Sequence, residues 1–220
     1  MNVRPLVAEF VGTFTLIFIG VGAIAADHMT AGKLGLTGIA LAHGLAIGVM
    51  ATATMAVSGG QLNPAVTIGL WSVGKMKTPQ TLRYIAVQLL GAAFAAWLIK
   101  LALPAAALSA VGMGTPGLAE GISPKAGFIA EVVLTFFLMF VIYGTAVDRR
   151  APKMGGLFIG LAVAMDIFMG GPVCGAAMNP ARHFGPALMG GGFQNAWIYW
   201  AGPILGAVIA AQAYNKFIEE

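Results

Sequence analysis

From Leu34 to Gly74 the chain runs for 41 residues without a single Asp, Glu, Lys or Arg. A hydrocarbon core about 30 Å thick is crossed by about 20 apolar residues in a helix, so the stretch is about twice what one crossing needs. It also contains Ser58-Gly59-Gly60 and Asn63-Pro64, which one continuous helix does not accommodate. A helix that crosses once, breaks at the glycines and restarts with Asn63 as N-cap and Pro64 at its first position reconciles the two facts. The remaining run, Pro64 to Gly74, is then about 16 Å long, half a span. Irregular backbone at membrane depth is tolerated only where protein buries it or where it lines a water-filled cavity.

The rest of the chain has the same character: of 220 residues, 59% are hydrophobic and only 9% charged, far from the balance of a soluble domain. Hydropathy places spans near residues 5–26, 35–57, 82–103, 126–147, 155–170 and 196–216, with no linker dividing residues 1–220 into domains. The first span is expected to be kept, because no polar region with a small-residue cleavage site follows it. Cys174 is the only cysteine and His28, His43 and His183 are scattered, so neither a disulfide, a metal site nor a cofactor is expected. No nucleophile paired with a base is visible, which argues against an enzyme. The net charge of +4 is read as loop charge rather than as a nucleic-acid surface. With the N-terminus inside, Arg4, Lys75, Lys77, Arg83, Arg149, Arg150, Lys153 and Lys216 fall on the cytoplasmic side, against Lys33, Lys100 and Lys125 outside. Both termini are therefore expected to be cytoplasmic, and the short termini and compact loops fit a plasma (inner) membrane. The longest loop, Pro104 to Lys125, is expected on the outer side.

The broken-helix pattern occurs twice. Gly170-Gly171-Pro172 and Gly175 precede Asn179-Pro180-Ala181 and a short apolar stretch to Met189. "GLAI" at Gly44 to Ile47 precedes Asn63 by the interval at which "GLAV" at Gly160 to Val163 precedes Asn179. "AEFVGTF" at Ala8 to Phe14 matches "AEVVLTF" at Ala130 to Phe136, and Tyr84 with Gly91 echoes Tyr199 with Gly206. Each half, about 1–103 and 125–220, thus reads span, span, half-helix, span. Three full spans per half turn the second copy upside down, which sets the broken elements face to face near the bilayer midplane.

There each half-helix directs its free N–H groups and a positive partial charge at the centre, joined by the amides of Asn63 and Asn179. Such a centre favours oxygen lone pairs and repels cations. A water accepting from both amides turns its hydrogens outward, which breaks a proton wire. Arg182, beside the second motif, is a functional candidate because an arginine within the membrane is costly. Glu9 and Glu131 occupy equivalent positions inside spans and are read as carboxylates that support the re-entrant loops. Gly44, Gly91, Gly160 and Gly206 are read as close-packing points between helices.

Two Asn-Pro-Ala motifs (Asn63, Pro64, Ala65 and Asn179, Pro180, Ala181) in inverted halves, the "AEF…GTF" opening, "SGGQLNPAVT" and "MNPARHFGPAL" closely resemble the aquaporin, or major intrinsic protein, family across essentially the whole chain. The resemblance implies an all-α channel of six transmembrane helices plus two re-entrant half-helices. It implies passage of water and small neutral solutes through the bilayer, and a homotetramer with one pore per subunit. It also implies a selectivity filter, which by spacing from the Asn residues falls on His43, Ile167, Ala176 and Arg182. That set looks like the filter of plant tonoplast intrinsic proteins, which as a class pass water and, in several subgroups, ammonia, urea or hydrogen peroxide. Glycerol is disfavoured, because Ala187 and Tyr199-Trp200 match water-channel markers. His183 stands where water channels usually carry Ser.

Two other classes share parts of this grammar. A secondary transporter also uses inverted repeats and broken helices, but the midplane here offers neutral Asn residues and no paired acids to couple an ion. A closed, structural membrane protein is opposed by the intact Asn63, Asn179 and Arg182. Asp166 is read as a rim or loop anchor, and Cys174 as an outer-loop thiol within reach of a mercurial.

Overall fold

The computed structural model describes residues 2–150 and 154–219. Lys153, counted above among the inner-side bases, lies outside them. Among the described residues six helices are long and apolar enough to cross a membrane: α1 (Arg4–Met29), α2 (Gly35–Ser58), α4 (Thr78–Ala102), α6 (Pro124–Ile142, continued by a π-turn to Val147), α7 (Gly155–Cys174) and α9 (Ala196–Phe217). Between them sit two short helices, α3 (Pro64–Ser72) and α8 (Pro180–Pro186), at the positions expected of half-helices. The expected loop from Pro104 to Lys125 contains a short helix, α5 (Ala105–Ala110), and a 3₁₀ turn at Gly112–Gly114.

The packing repeats the order of the halves. α1 lies against α4 as α6 lies against α9, and α1 against α2 as α6 against α7. Each half-helix packs on the last helix of the opposite half, α3 on α9 and α8 on α4, while α2 meets α7 across the seam. This exchange makes one body of the two halves.

Small residues set the helix separations. A Cβ on Gly44 would meet the Gly160 carbonyl oxygen at 2.6 Å, and one on Gly91 would meet that of Phe10 at 2.5 Å. At the equivalent place in the second half, a Cβ on Gly206 would run into the carbonyl oxygen of Val132. Without a hydrophobic driving force between helices in lipid, such backbone contact supplies the packing energy.

At one end of the molecule the connections are tied by charge. Asp148, just past the π-turn, accepts from Arg150 Nη2 (2.6 Å), Nε (3.0 Å) and the Arg150 backbone N–H (2.8 Å). Arg150 Nη2 also donates to the Ile218 carbonyl, and Lys75 pairs with Glu219 at 2.6 Å. Lys75, Arg150 and the C-terminal segment therefore share one side, as an even number of crossings requires.

Two expectations follow. Gly206→Ala should destabilise the protein by about 1–3 kcal/mol through overpacking, seen as a lower midpoint in thermal denaturation in detergent. The bonds from Arg150 hold the Asp148 carboxyl below its ordinary value of 3.8. Its contribution is complete above that value and is lost as the pH falls toward the lowered one. Asp148→Asn should accordingly flatten the decline of thermal stability in acid below about pH 4, measured by the same melts across pH.

Candidate functional site

Both half-helices start in the same way. Asn63 and Asn179 are N-caps in extended conformation, φ −158° and −156°, with Pro64 and Pro180 next. Asn63 Oδ1 accepts from the Ala65 N–H at 2.8 Å and Asn179 Oδ1 from the Ala181 N–H at 3.0 Å. The amide nitrogens cross over: Asn63 Nδ2 donates to the Met178 carbonyl (2.8 Å) and Asn179 Nδ2 to the Leu62 carbonyl (2.9 Å). An amide has two N–H donors, so each Asn keeps one for the cavity that both line.

The chain entering each half-helix has a backbone that neither helix nor strand uses. Gly59, Gly60 and Leu62 have φ of 91°, 60° and 53°, and Gly175, Ala176 and Met178 have 82°, 43° and 50°. Its N–H groups find one buried carboxylate in each half. Glu9 accepts from the N–H groups of Gln61 (3.0 Å) and Leu62 (2.6 Å), Glu131 from those of Ala177 (2.7 Å) and Met178 (2.7 Å). Both carboxylates are fully buried. A third donor joins each set, Ser58 Oγ on Glu9 at 2.6 Å and Cys174 Sγ on Glu131 at 3.3 Å, and Glu9 takes a fourth from Gln88 Nε2. The carbonyls of residues 59–61 and 175–177 receive no donor among the described residues. All six residues but Gly175 line the cavity.

That cavity, about 230 Å³, is lined by His43, Ile167, Ala176 and Arg182 together with Asn63 and Asn179. Gln61 apart, its remaining side chains are apolar, among them Leu16, Ile47, Val66, Leu138, Ile159 and Val163. Arg182 is buried, with its Nε donating to His43 Nε2 (3.1 Å) and its Nη1 to the Gly114 carbonyl (2.8 Å). The Nδ1 of His43 faces the Ile39 carbonyl at 2.8 Å. A carbonyl only accepts, so the ring carries its proton on Nδ1 and is neutral, leaving the Nε2 lone pair for Arg182. Of the five guanidinium N–H groups, three remain without a partner among the described residues.

Two residues lie elsewhere than expected. Cys174 is the fully buried last residue of α7, which continues past residue 170 through Pro172, so the thiol faces Glu131 instead of the outer loop. Asp166 sits within α7, 2% exposed and with no hydrogen bond to a rim or loop among the described residues, where a rim or loop anchor was expected. His183 is wholly buried and stacks on Tyr199 with ring centroids 4.7 Å apart.

Other participants were not singled out from sequence. The Gly114 carbonyl that holds Arg182 comes from a loop with no periodic signal. The Ser58 and Cys174 donors were readable, since they are 116 residues apart, the interval between Asn63 and Asn179. Gln88, which donates to Glu9 at 2.8 Å, has no such counterpart: the residue matching it in the second half, by the Tyr84 to Tyr199 interval, is Pro203.

Comparison with known proteins decides the family. The model of the family "Major intrinsic protein" matches residues 1–214. The chain belongs to the major intrinsic protein family. Among curated members, it is 42% identical to Aquaporin TIP4-4 of Zea mays over 222 residues, covering 97% of this chain and 86% of that one. It is 40% identical to the Probable aquaporin TIP3-2 of Arabidopsis thaliana, over 99% of this chain and 84% of the relative. Among solved structures, the aquaglyceroporin from Plasmodium falciparum superposes with a TM-score of 0.87 at 28% identity, covering 98% of this chain and 96% of that one. As a major intrinsic protein the chain is an integral multi-pass channel, a transport protein and not an enzyme. These two curated relatives, which carry TIP names, lend no support to the expected plasma membrane.

Removing one oxygen from a loop carboxylate tests its part in this family member. Glu131→Gln keeps one acceptor and turns a donor toward an N–H group, leaving one buried backbone N–H unpaired at a cost of about 1–3 kcal/mol. We expect a lower melting midpoint in detergent and reduced channel flux.

Proposed function

We propose that the protein is a passive water channel that also admits small neutral solutes of the size of ammonia, and that it excludes protons and ions. The observation that carries this reading is the convergence of two Asn-capped helix N-termini on one cavity, each Asn bonded to the opposite loop and each with one N–H to spare. A solute oxygen at that point accepts from both amides. The positive ends of two half-helices repel cations there, and a water held by its lone pairs cannot pass a proton along the file.

In this reading Asn63, Pro64, Ala65, Asn179, Pro180 and Ala181 build the central orienting site, and Glu9 and Glu131 support the loops. The carbonyls of residues 59–61 and 175–177 supply acceptors along the apolar walls. His43, Ile167, Ala176 and Arg182 form the filter. Arg182 offers three N–H donors and a positive charge. Ile167 provides an apolar wall, and Ala176 keeps the loop backbone close to the lumen. Urea and hydrogen peroxide share the donor and acceptor character that such a filter serves. The charge bias of the loops supports cytoplasmic termini. The family resemblance supports a homotetramer with one pore per subunit.

Stopped-flow measurements on proteoliposomes test the reading. Osmotic water flux should exceed that of empty liposomes, with a low activation energy and no dependence on ion gradients. The double variant His43→Phe with Ile167→His should lose ammonia-driven internal pH change. Water flux no faster than in empty liposomes would overturn the channel, and unchanged ammonia flux would overturn the filter assignment alone.

A further inference from the structure

The repeat supplies an internal control for the filter. In the first two helices of each half, α1 maps onto α6 with the 122-residue interval of Glu9 to Glu131, and α2 onto α7 with the 116-residue interval that also relates Asn63 to Asn179. Several lumen positions keep their character under the mapping, as with Leu16 and Leu138, Ile47 and Val163, and Asn63 and Asn179, all of which line the cavity. Three positions break it together. His43 maps onto Ile159, Arg182 onto Val66, and Gly20 of α1 onto Ile142. Val66, Ile142 and Ile159 form an apolar wall of the cavity. At the symmetry-related place Gly20 and His43 of the first half and Arg182 of the second come together, with the His43 ring against both of the others.

Gly20 is the member of this trio that lies outside the filter set. A Cβ built on it would run into Nε2 of His43 and approach the ring's Cδ2 at 2.6 Å and Cε1 at 3.0 Å. The ring edge that receives the Arg182 Nε hydrogen bond therefore rests on the bare backbone of α1. The ring has little freedom to yield, because its Nδ1 is held by the Ile39 carbonyl of its own helix. Further along α1, Val21 and Ile24 carry the loop that bears the other Arg182 acceptor: a Cβ on Gly114 would sit 3.3 Å from both side chains. Both supports of Arg182 thus lean on α1.

We propose that Gly20 is a specificity-determining positioning residue of the channel. The space left by its missing side chain seats the ring of His43 back against α1, which sets the bore of the filter and lets Nε2 accept from Arg182. A methyl group there leaves the ring two alternatives, to turn toward the lumen or to give up the bond to Arg182. Either alters the constriction. The inference rests on the channel reading for its effect on flux, and on geometry alone for the seat.

The test is a cycle of wild type, Gly20→Ala, His43→Ala and the double variant, each measured for thermal stability in detergent and for water and urea flux in proteoliposomes. Gly20→Ala should lower the melting midpoint and reduce water flux severalfold, with a larger loss for urea, which fills more of the bore. In the His43→Ala background the same change should shift neither the midpoint nor the fluxes. If Gly20→Ala alone does not fold, recovery of folding in the double variant supports the seat, because the ring is then what the methyl group meets. The proposal is overturned if Gly20→Ala matches wild type, if its effects persist without the ring, or if the double variant also fails to fold. Wild-type flux equal to that of empty liposomes would instead remove the channel reading, and the stability cycle would still decide the seat.

Discussion

Backbone in hydrocarbon has to satisfy its own hydrogen bonds, and every unusual feature of this protein sits where a helix cannot do so. Each re-entrant loop leaves two successive N–H groups facing inward, and each is met by one carboxylate buried in the first helix of its half. A carboxylate placed so deep is expensive unless several donors surround it. The expense is offset by the bonds that fix the loop, so the acid and the irregular chain stabilise one another. With the N–H groups turned away, the carbonyls are left for whatever passes.

The two halves meet this demand with different chemistry. Around Glu9 the donors include a hydroxyl and the amide of Gln88, which also donates to Thr67 Oγ1 at 3.0 Å. Around Glu131 the third donor is a thiol, weaker and longer. His183 occupies the place of Thr67 and is held by stacking on Tyr199, with no hydrogen bond from its ring among the described residues. The same loop geometry therefore survives a change from a polar support to a largely aromatic one, which points to the carboxylate as the element both halves need.

Much of this was legible in the residue order. The charge-free run after Lys33 and the duplicated Asn-Pro-Ala gave the half-helices, because cap and first-position chemistry is local and needs no partner. The filter residues were reachable through the family resemblance, since a histidine such as His43 in an apolar helix carries no mark of where it points. Where the reading went wrong, tertiary context had overruled local rules. Pro172 was expected to follow the end of the fifth span, yet α7 carries it for two more residues and buries Cys174. Asp166 was read as a rim or loop anchor from its place near the outer end of the fifth span, and the fold buries it within α7. Gly114 was invisible because a carbonyl oxygen belongs to every residue, and only the path of the chain selects one.

The reciprocal bonds between Asn63 and Met178, and between Asn179 and Leu62, are the same bond made in both directions. Nothing in that exchange requires the halves to belong to one polypeptide. Two copies of a single half, related by a twofold axis in the membrane plane, would satisfy it equally well, and the segment joining α4 to α6 would then supply only proximity. What such a symmetric assembly lacks is a front and a back. The covalent join allows a guanidinium on one side to face a valine on the other, and with it a vestibule that meets solute differently from each side of the membrane.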